Sequence, residues 1–163
     1  WLMGAHCGHD HAGHGLAEAE ARRALAAAEA ACAADGERMT APRRRVLDLL
    51  LQAGEPMKAY DLIARFGQDG QAAKPPTVYR ALEFLERRGL AHRIASISAY
   101  VACSHGENDH AAAFLICDCC GAAREIAAPL GDGLRKAAEG AGYAIERPPI
   151  GAHGRCPECR VPA

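Results

Sequence analysis

The chain has 163 residues, enough for one sizeable core or two small ones. Half of it is apolar but only 5% is aromatic, which favours helices with modest side chains over a large β-sandwich, and no apolar run is long enough to span a bilayer. The net charge of −1 gives no hint of a nucleic-acid partner, but residues 38–94 carry +5 and the remainder −6, a basic middle beside an acidic remainder that points to two jobs.

The first fifteen residues, WLMGAHCGHDHAGHG, have neither the basic n-region nor the apolar h-region of a signal peptide. The expectation is a cytoplasmic chain whose thiols stay reduced, and eight cysteines in such a chain point to metal over disulfide. The tail carries His6, Cys7, His9, His11 and His14 and is read as disordered.

Residues 16–34 are rich in strong helix formers, and Asp35-Gly36 ends the run. In MTAPRRRVLDLLLQAG, Thr40 is the expected N-cap and Pro42 suits the first turn. Val46, Leu47, Leu50 and Leu51 make an apolar stripe, and Gly54 closes the helix. A short helix fits KAYDLIARFG, with Leu62, Ile63 and Phe66 inward. The segment PPTVYRALEFLERRGL predicts a helix over 77–88, capped by Thr77 after two prolines, with Val78, Leu82 and Leu85 on one face. LAHRIASISAYVAC reads as a two-stranded hairpin. Three helices followed by a hairpin form a winged helix-turn-helix pattern, whose 77–88 helix is the one to enter a major groove.

The second half predicts strands over 113–117 and 122–127 around a Cys-rich turn. A helix in GDGLRKAAEGAG and a strand in YAIERPPIGA, broken by Pro148 and Pro149, follow. The fold class is α+β: an N-terminal winged helix-turn-helix domain over 16–95 and a small C-terminal α/β domain over 96–163, after a tail over 1–15.

Cys117 and Cys120 form one C-x-x-C pair, Cys156 and Cys159 a second. Four thiolates suit the tetrahedral geometry of a closed structural zinc site, and soft donors favour zinc over magnesium or calcium. A redox reading is weaker, because thioredoxin-type sites use one pair in a βαβ context. Cys119 has the poorer spacing and is left out. His92, Cys103, His110 and Glu125 are a further set of ligand types, each unremarkable alone. They could also hold an open zinc with Glu125 as base, as in a zinc-dependent hydrolase. Against that, the sequence has neither HExxH nor a deaminase signature.

TAPRRRVLDLL, AYDLIARF, KPPTVYRALEFLERRGLAHRI, AYVAC and the FLICDCCG and HGRCPEC pairs resemble the ferric uptake regulator superfamily, and most closely its zinc-sensing branch, over about residues 17–160. The resemblance implies a cytoplasmic homodimer whose C-terminal domains dimerise, with about two zinc ions per protomer. One is structural, on Cys117, Cys120, Cys156 and Cys159. The other is regulatory, on His92, Cys103, His110 and Glu125, with His105 and Asp109 able to replace one ligand. It implies a repressor of zinc-uptake genes whose zinc-loaded dimer binds a palindromic operator, the metal fixing the relative angle of the domains. An iron or peroxide sensor of the same superfamily is the alternative. Thr77, Tyr79 and Arg80 then face base edges, with Arg80 able to pair bidentately with guanine. Tyr60 resembles the family tyrosine that contacts a thymine methyl or a phosphate, and Arg43, Arg44 and Lys74 are read as phosphate contacts.

Overall fold

The structure, a computed structural model, describes residues 16–67, 74–103, 112–127, 132–145 and 151–160. Their elements fall into two compact units, one up to residue 103 and the other from 112 onward. Among the described residues no helix is long and apolar enough to cross a membrane.

The N-terminal unit holds α1 (Glu18–Ala34), α2 (Ala41–Ala53), β1 (Met57–Lys58), α3 (Ala59–Gly67), α4 (Pro75–Arg87), β2 (Ala91–Ile94) and β3 (Ala99–Ala102). Buried residues on α1 recur at helical spacing, Ala21, Leu25, Ala28 and Cys32, and meet Val46, Leu47 and Leu50 of α2 in one core. Leu62 and Phe66 of α3 and Val78, Leu82 and Leu85 of α4 complete it. Ile63 stays half-buried at its margin. Leu50 is fully buried, so Leu50→Ala is expected to cost about 2–5 kcal/mol, read as a lower urea midpoint for this unit.

The two helices that frame this unit end as their glycines dictate. Gly54, with φ of 62°, closes α2 by donating to the Leu50 carbonyl at 3.3 Å. Beyond α4, Gly89 takes φ of 66°, its N–H bonds the Glu86 carbonyl and that of Leu90 bonds the Leu85 carbonyl, a Schellman ending. The start of α4 differs from expectation. Lys74 is its N-cap, Pro75 and Pro76 are its first two residues, and the Thr77 N–H donates to the Lys74 carbonyl at 2.8 Å. The first N–H groups of a helix have no intrahelical acceptor, so the prolines lose nothing there and their fixed φ suits the turn.

The wing is a three-stranded sheet of order β1-β3-β2. Pairing of β2 with β3 keeps residues 99–102 in the N-terminal unit. The C-terminal unit holds β4 (Ala112–Cys117), β5 (Ala123–Ala127), α5 (Asp132–Gly140) and β6 (Gly151–Gly154). Its sheet has order β5-β4-β6, with β4 antiparallel to β5 and parallel to β6. The strand expected around Pro148 and Pro149 lies further on: residues 143–145 have no regular structure, 146–150 are outside the described residues, and pairing starts at Gly151. Proline cannot donate to a ladder, and Gly151–Gly154 has none.

Candidate metal centre and nucleic-acid face

The four cysteines are brought together by two matching turns. After β4, the Gly121 N–H donates to the Cys117 carbonyl at 2.8 Å; after β6, the Arg160 N–H donates to the Cys156 carbonyl at 2.9 Å. Each turn places its two thiols on one side. Parallel pairing of β4 with β6 aligns Cys117 with Gly154, which sets the turns face to face. The sulfurs of Cys117, Cys120, Cys156 and Cys159 all lie within 4.8 Å of one another, and those of Cys120 and Cys156 are 3.8 Å apart. Tetrahedral zinc with Zn–S of about 2.3 Å requires sulfurs about 3.8 Å apart, so the donor set fits that ion. Cys119 is outside the group.

The four thiols do not share one environment. Backbone N–H groups, that of Cys120 first and that of Cys156 next, hold the Cys117 thiol down to about 6. The Cys156 N–H reaches its sulfur at 3.3 Å. Burial pushes the Cys159 thiol up to about 12. A divalent ion held by these four cysteines would displace the protons that remain, and amide donors would offset the charge of the thiolates. Sequence reasoning missed one support of this site. Asp118, between Cys117 and Cys120, bonds His153 Nδ1 at 2.7 Å, and its N–H donates to the Gly154 carbonyl at 2.9 Å, tying the two turns together. No spacing rule pointed to that pair, because it exists only through the β4–β6 register.

In the N-terminal unit the wing supplies two further donors. His92 stands opposite Val101 on the antiparallel ladder, and Cys103 follows two residues after Val101, its N–H on the Leu90 carbonyl at 3.0 Å. Alternation puts His92 and Cys103 diagonally on one face of the hairpin. Their ligand atoms lie within 4.8 Å of each other, and both residues are half-buried. Glu125, in the C-terminal unit, stands on β5 across from Phe114 and is half-buried. His110, with His105 and Asp109, lies outside the described residues.

The helix-turn-helix of α3 and α4 presents an aromatic and basic face. Tyr60, at the start of α3, is 79% exposed, and Tyr79 on α4 is 51% exposed. Arg80 and Lys74 are exposed beside it, and Thr77 is half-buried. Two arginines read from sequence as phosphate contacts are engaged within the fold. Arg44 pairs with Glu29 at 3.2 Å, an exposed pair that water can open at little cost. Arg43 is half-buried, and its guanidinium lies over the ring of Phe84.

The Ferric uptake regulator family model matches residues 34–148. The Zinc uptake regulation protein of Escherichia coli (strain K12) is 39% identical over 137 residues, 83% of this chain and 80% of that one. A solved structure of a zinc uptake regulator complexed with zinc and DNA is 38% identical, covering 85% of this chain and 94% of its own, with a TM-score of 0.80. The crystal structure of holo XcZur is 39% identical over 83% of this chain and 95% of that one, with a TM-score of 0.73. The matched stretch runs from the end of α1 through β4, β5 and α5, taking in the helix-turn-helix and the first cysteine pair, and the chain belongs to the ferric uptake regulator family.

Proposed function

We propose that the protein is a zinc-responsive transcriptional repressor that binds operator DNA when loaded with zinc and represses genes for zinc uptake. The observation that carries this reading is the likeness, over most of both chains, to a zinc uptake regulator complexed with zinc and DNA. The exposed Tyr60, Tyr79 and Arg80 on a helix-turn-helix support it, as do two thiol-bearing donor groups. A hydrolase has no place in this reading, since the family is one of transcription regulators.

In this reading each protomer holds about two zinc ions. Cys117, Cys120, Cys156 and Cys159 hold the structural one, whose coordination sphere they fill. The regulatory ion is assigned to His92, Cys103, His110 and Glu125; the His92–Cys103 pair on the wing and the soft sulfur of Cys103 support zinc over harder ions. Thiolate ligands need a reducing compartment, which favours the cytoplasm. A homodimer reading a palindrome follows the symmetry of such operators. Exposed Leu115, Leu134, Tyr143 and Ile145 in the C-terminal unit supply apolar surface for pairing. Arg80, Tyr79, Thr77 and Tyr60 meet bases, and Lys74 and Arg44 meet phosphates.

The test is selection of duplexes from a random-sequence pool by the zinc-loaded chain, then fluorescence anisotropy of the enriched duplex against buffered free zinc. Binding is expected to rise with zinc, with a coupling of about 1–3 kcal/mol. If ferrous or manganous ion restored binding and zinc did not, the iron or peroxide reading would replace this one. Arg80→Ala is expected to lose about 1–3 kcal/mol and to relax the preference at one base pair, measured on the enriched duplex and its single-base variants.

A further inference from the structure

The apolar burial that holds α4 has no direction. Val78, Leu82 and Leu85 are aliphatic and buried, and apolar burial resists withdrawal of the helix more than its rotation or sliding. Directional contacts sit at its C-terminal end. Phe84, buried one turn beyond Arg80, has the Arg43 guanidinium carbon 3.6 Å from its ring centroid and that of Arg87 at 5.4 Å. Arg43 reaches across from the first turn of α2, and its Nη1 donates to the Arg38 carbonyl at 2.6 Å. The segment between α1 and α2 also meets the end of α4: Arg87 donates to Glu37 at 3.4 Å, and Arg88, just past the helix, pairs with Asp35.

A guanidinium carbon 3.6 Å over a ring centroid, with an N–H on a carbonyl, is held at two points by a rigid fork, which an ammonium on a flexible stem is not. We propose that Arg43 is a positioning residue for DNA recognition: stacked on Phe84 and hooked to the Arg38 carbonyl, it sets the rotation of α4 about its axis and hence the line along which Tyr79 and Arg80 meet base edges. The inference rests on reading α4 as the DNA-contacting helix. It gives Arg43 a role that touches no phosphate, unlike the one its charge suggests in the sequence.

The experiment uses the full zinc-loaded chain and two probes, the duplex enriched by the wild type and a scrambled duplex of equal composition. Arg43→Lys keeps the charge and loses the planar stack. It is expected to lose at least about tenfold in affinity for the enriched duplex while binding the scrambled one as before. Arg43→Met is expected to show the same loss, with the slope of log affinity against log salt unchanged. Phe84→Leu should match Arg43→Met, and the double variant should be no worse than either single one, because one contact is removed twice. Three results overturn the proposal. The first is wild-type binding by Arg43→Lys. The second is a salt slope shallower by about 1 in Arg43→Met, the mark of a lost phosphate contact. The third is an equal loss on both duplexes that tracks a fall in melting temperature, which reduces Arg43 to a fold residue. If the wild type enriches no duplex, the reading of α4 fails first, before any variant is measured, and the inference falls with it.

Discussion

Cys156→Ser is expected to strip the four-cysteine centre of zinc and unfold the C-terminal unit while the N-terminal unit keeps its structure. The asymmetry comes from the cores. The N-terminal unit buries residues from all four helices and the wing; in the C-terminal unit, among the described residues, only Phe114, Ile116, Cys117 and Cys159 are buried, and two of these are proposed ligands. A small apolar core weakly offsets the entropy of ordering its chain, and in the proposed reading a structural metal would make up the difference. Apparent zinc affinities of small metal-folded domains correspond to about 10–16 kcal/mol. Cys156 contributes more than its sulfur. Its N–H donates to Cys117 and its carbonyl accepts from Cys159 and Arg160, so displacing it loosens the second turn as well. Serine has nearly the same shape, so the variant isolates the loss of the thiolate. Zinc content by mass spectrometry should fall by one ion per protomer. Amide exchange should become fast over 112–160 and stay slow in α2 and α4. Full zinc retention with unchanged protection over β4 and β6 would show that the sheet does not depend on the metal.

The parts of this molecule legible in its sequence are those fixed by local chemistry. PPTVYRALEFLERRGL reads as a helix because its apolar spacing, prolines and terminal glycine agree; the expected 77–88 differs from the observed Pro75–Arg87 by two residues at the start and one at the end. The turn chemistry favoured a Thr cap, whereas two prolines at positions that need no donor start the helix two residues earlier. The turns at the paired C-x-x-C motifs are local for the same reason, since each is closed by a backbone bond within five consecutive residues. What failed was set by register and tertiary contact. β6 was placed too early because periodicity does not show where a parallel partner begins, and the two-residue β1 is too short to carry a pattern. Arg43 reads as a cation for phosphate in any local window; the ring it covers lies 41 positions further along the chain. His92 and Cys103 become neighbours only when Ala91 is known to face Ala102.

That register also makes Cys103→Ser the variant with the largest expected effect on regulation. Cys103 sits just past the last wing pair, its N–H on the Leu90 carbonyl, so the backbone that presents its sulfur belongs to the sheet and does not depend on a metal for its position. A half-buried Ser fits there with little cost to the fold, and the melting temperature of the N-terminal unit should move by no more than a few degrees. The donor changes completely. A thiol loses its proton to zinc near neutral pH, whereas an alcohol keeps it and offers only a weak neutral oxygen. Loss of a direct ligand should exceed the roughly 10–100-fold effect of removing a group that merely orients one. The midpoint of the zinc response on the enriched duplex should therefore rise by more than about 100-fold, and zinc stoichiometry should drop by the regulatory ion alone. The two cysteine variants separate the two proposed roles. Cys156→Ser should lose structure and response together, and Cys103→Ser should lose response with structure intact. If Cys103→Ser instead responds to zinc as the wild type does, the sulfur is no part of the sensor. His92 would then answer to donors other than its neighbour on the wing.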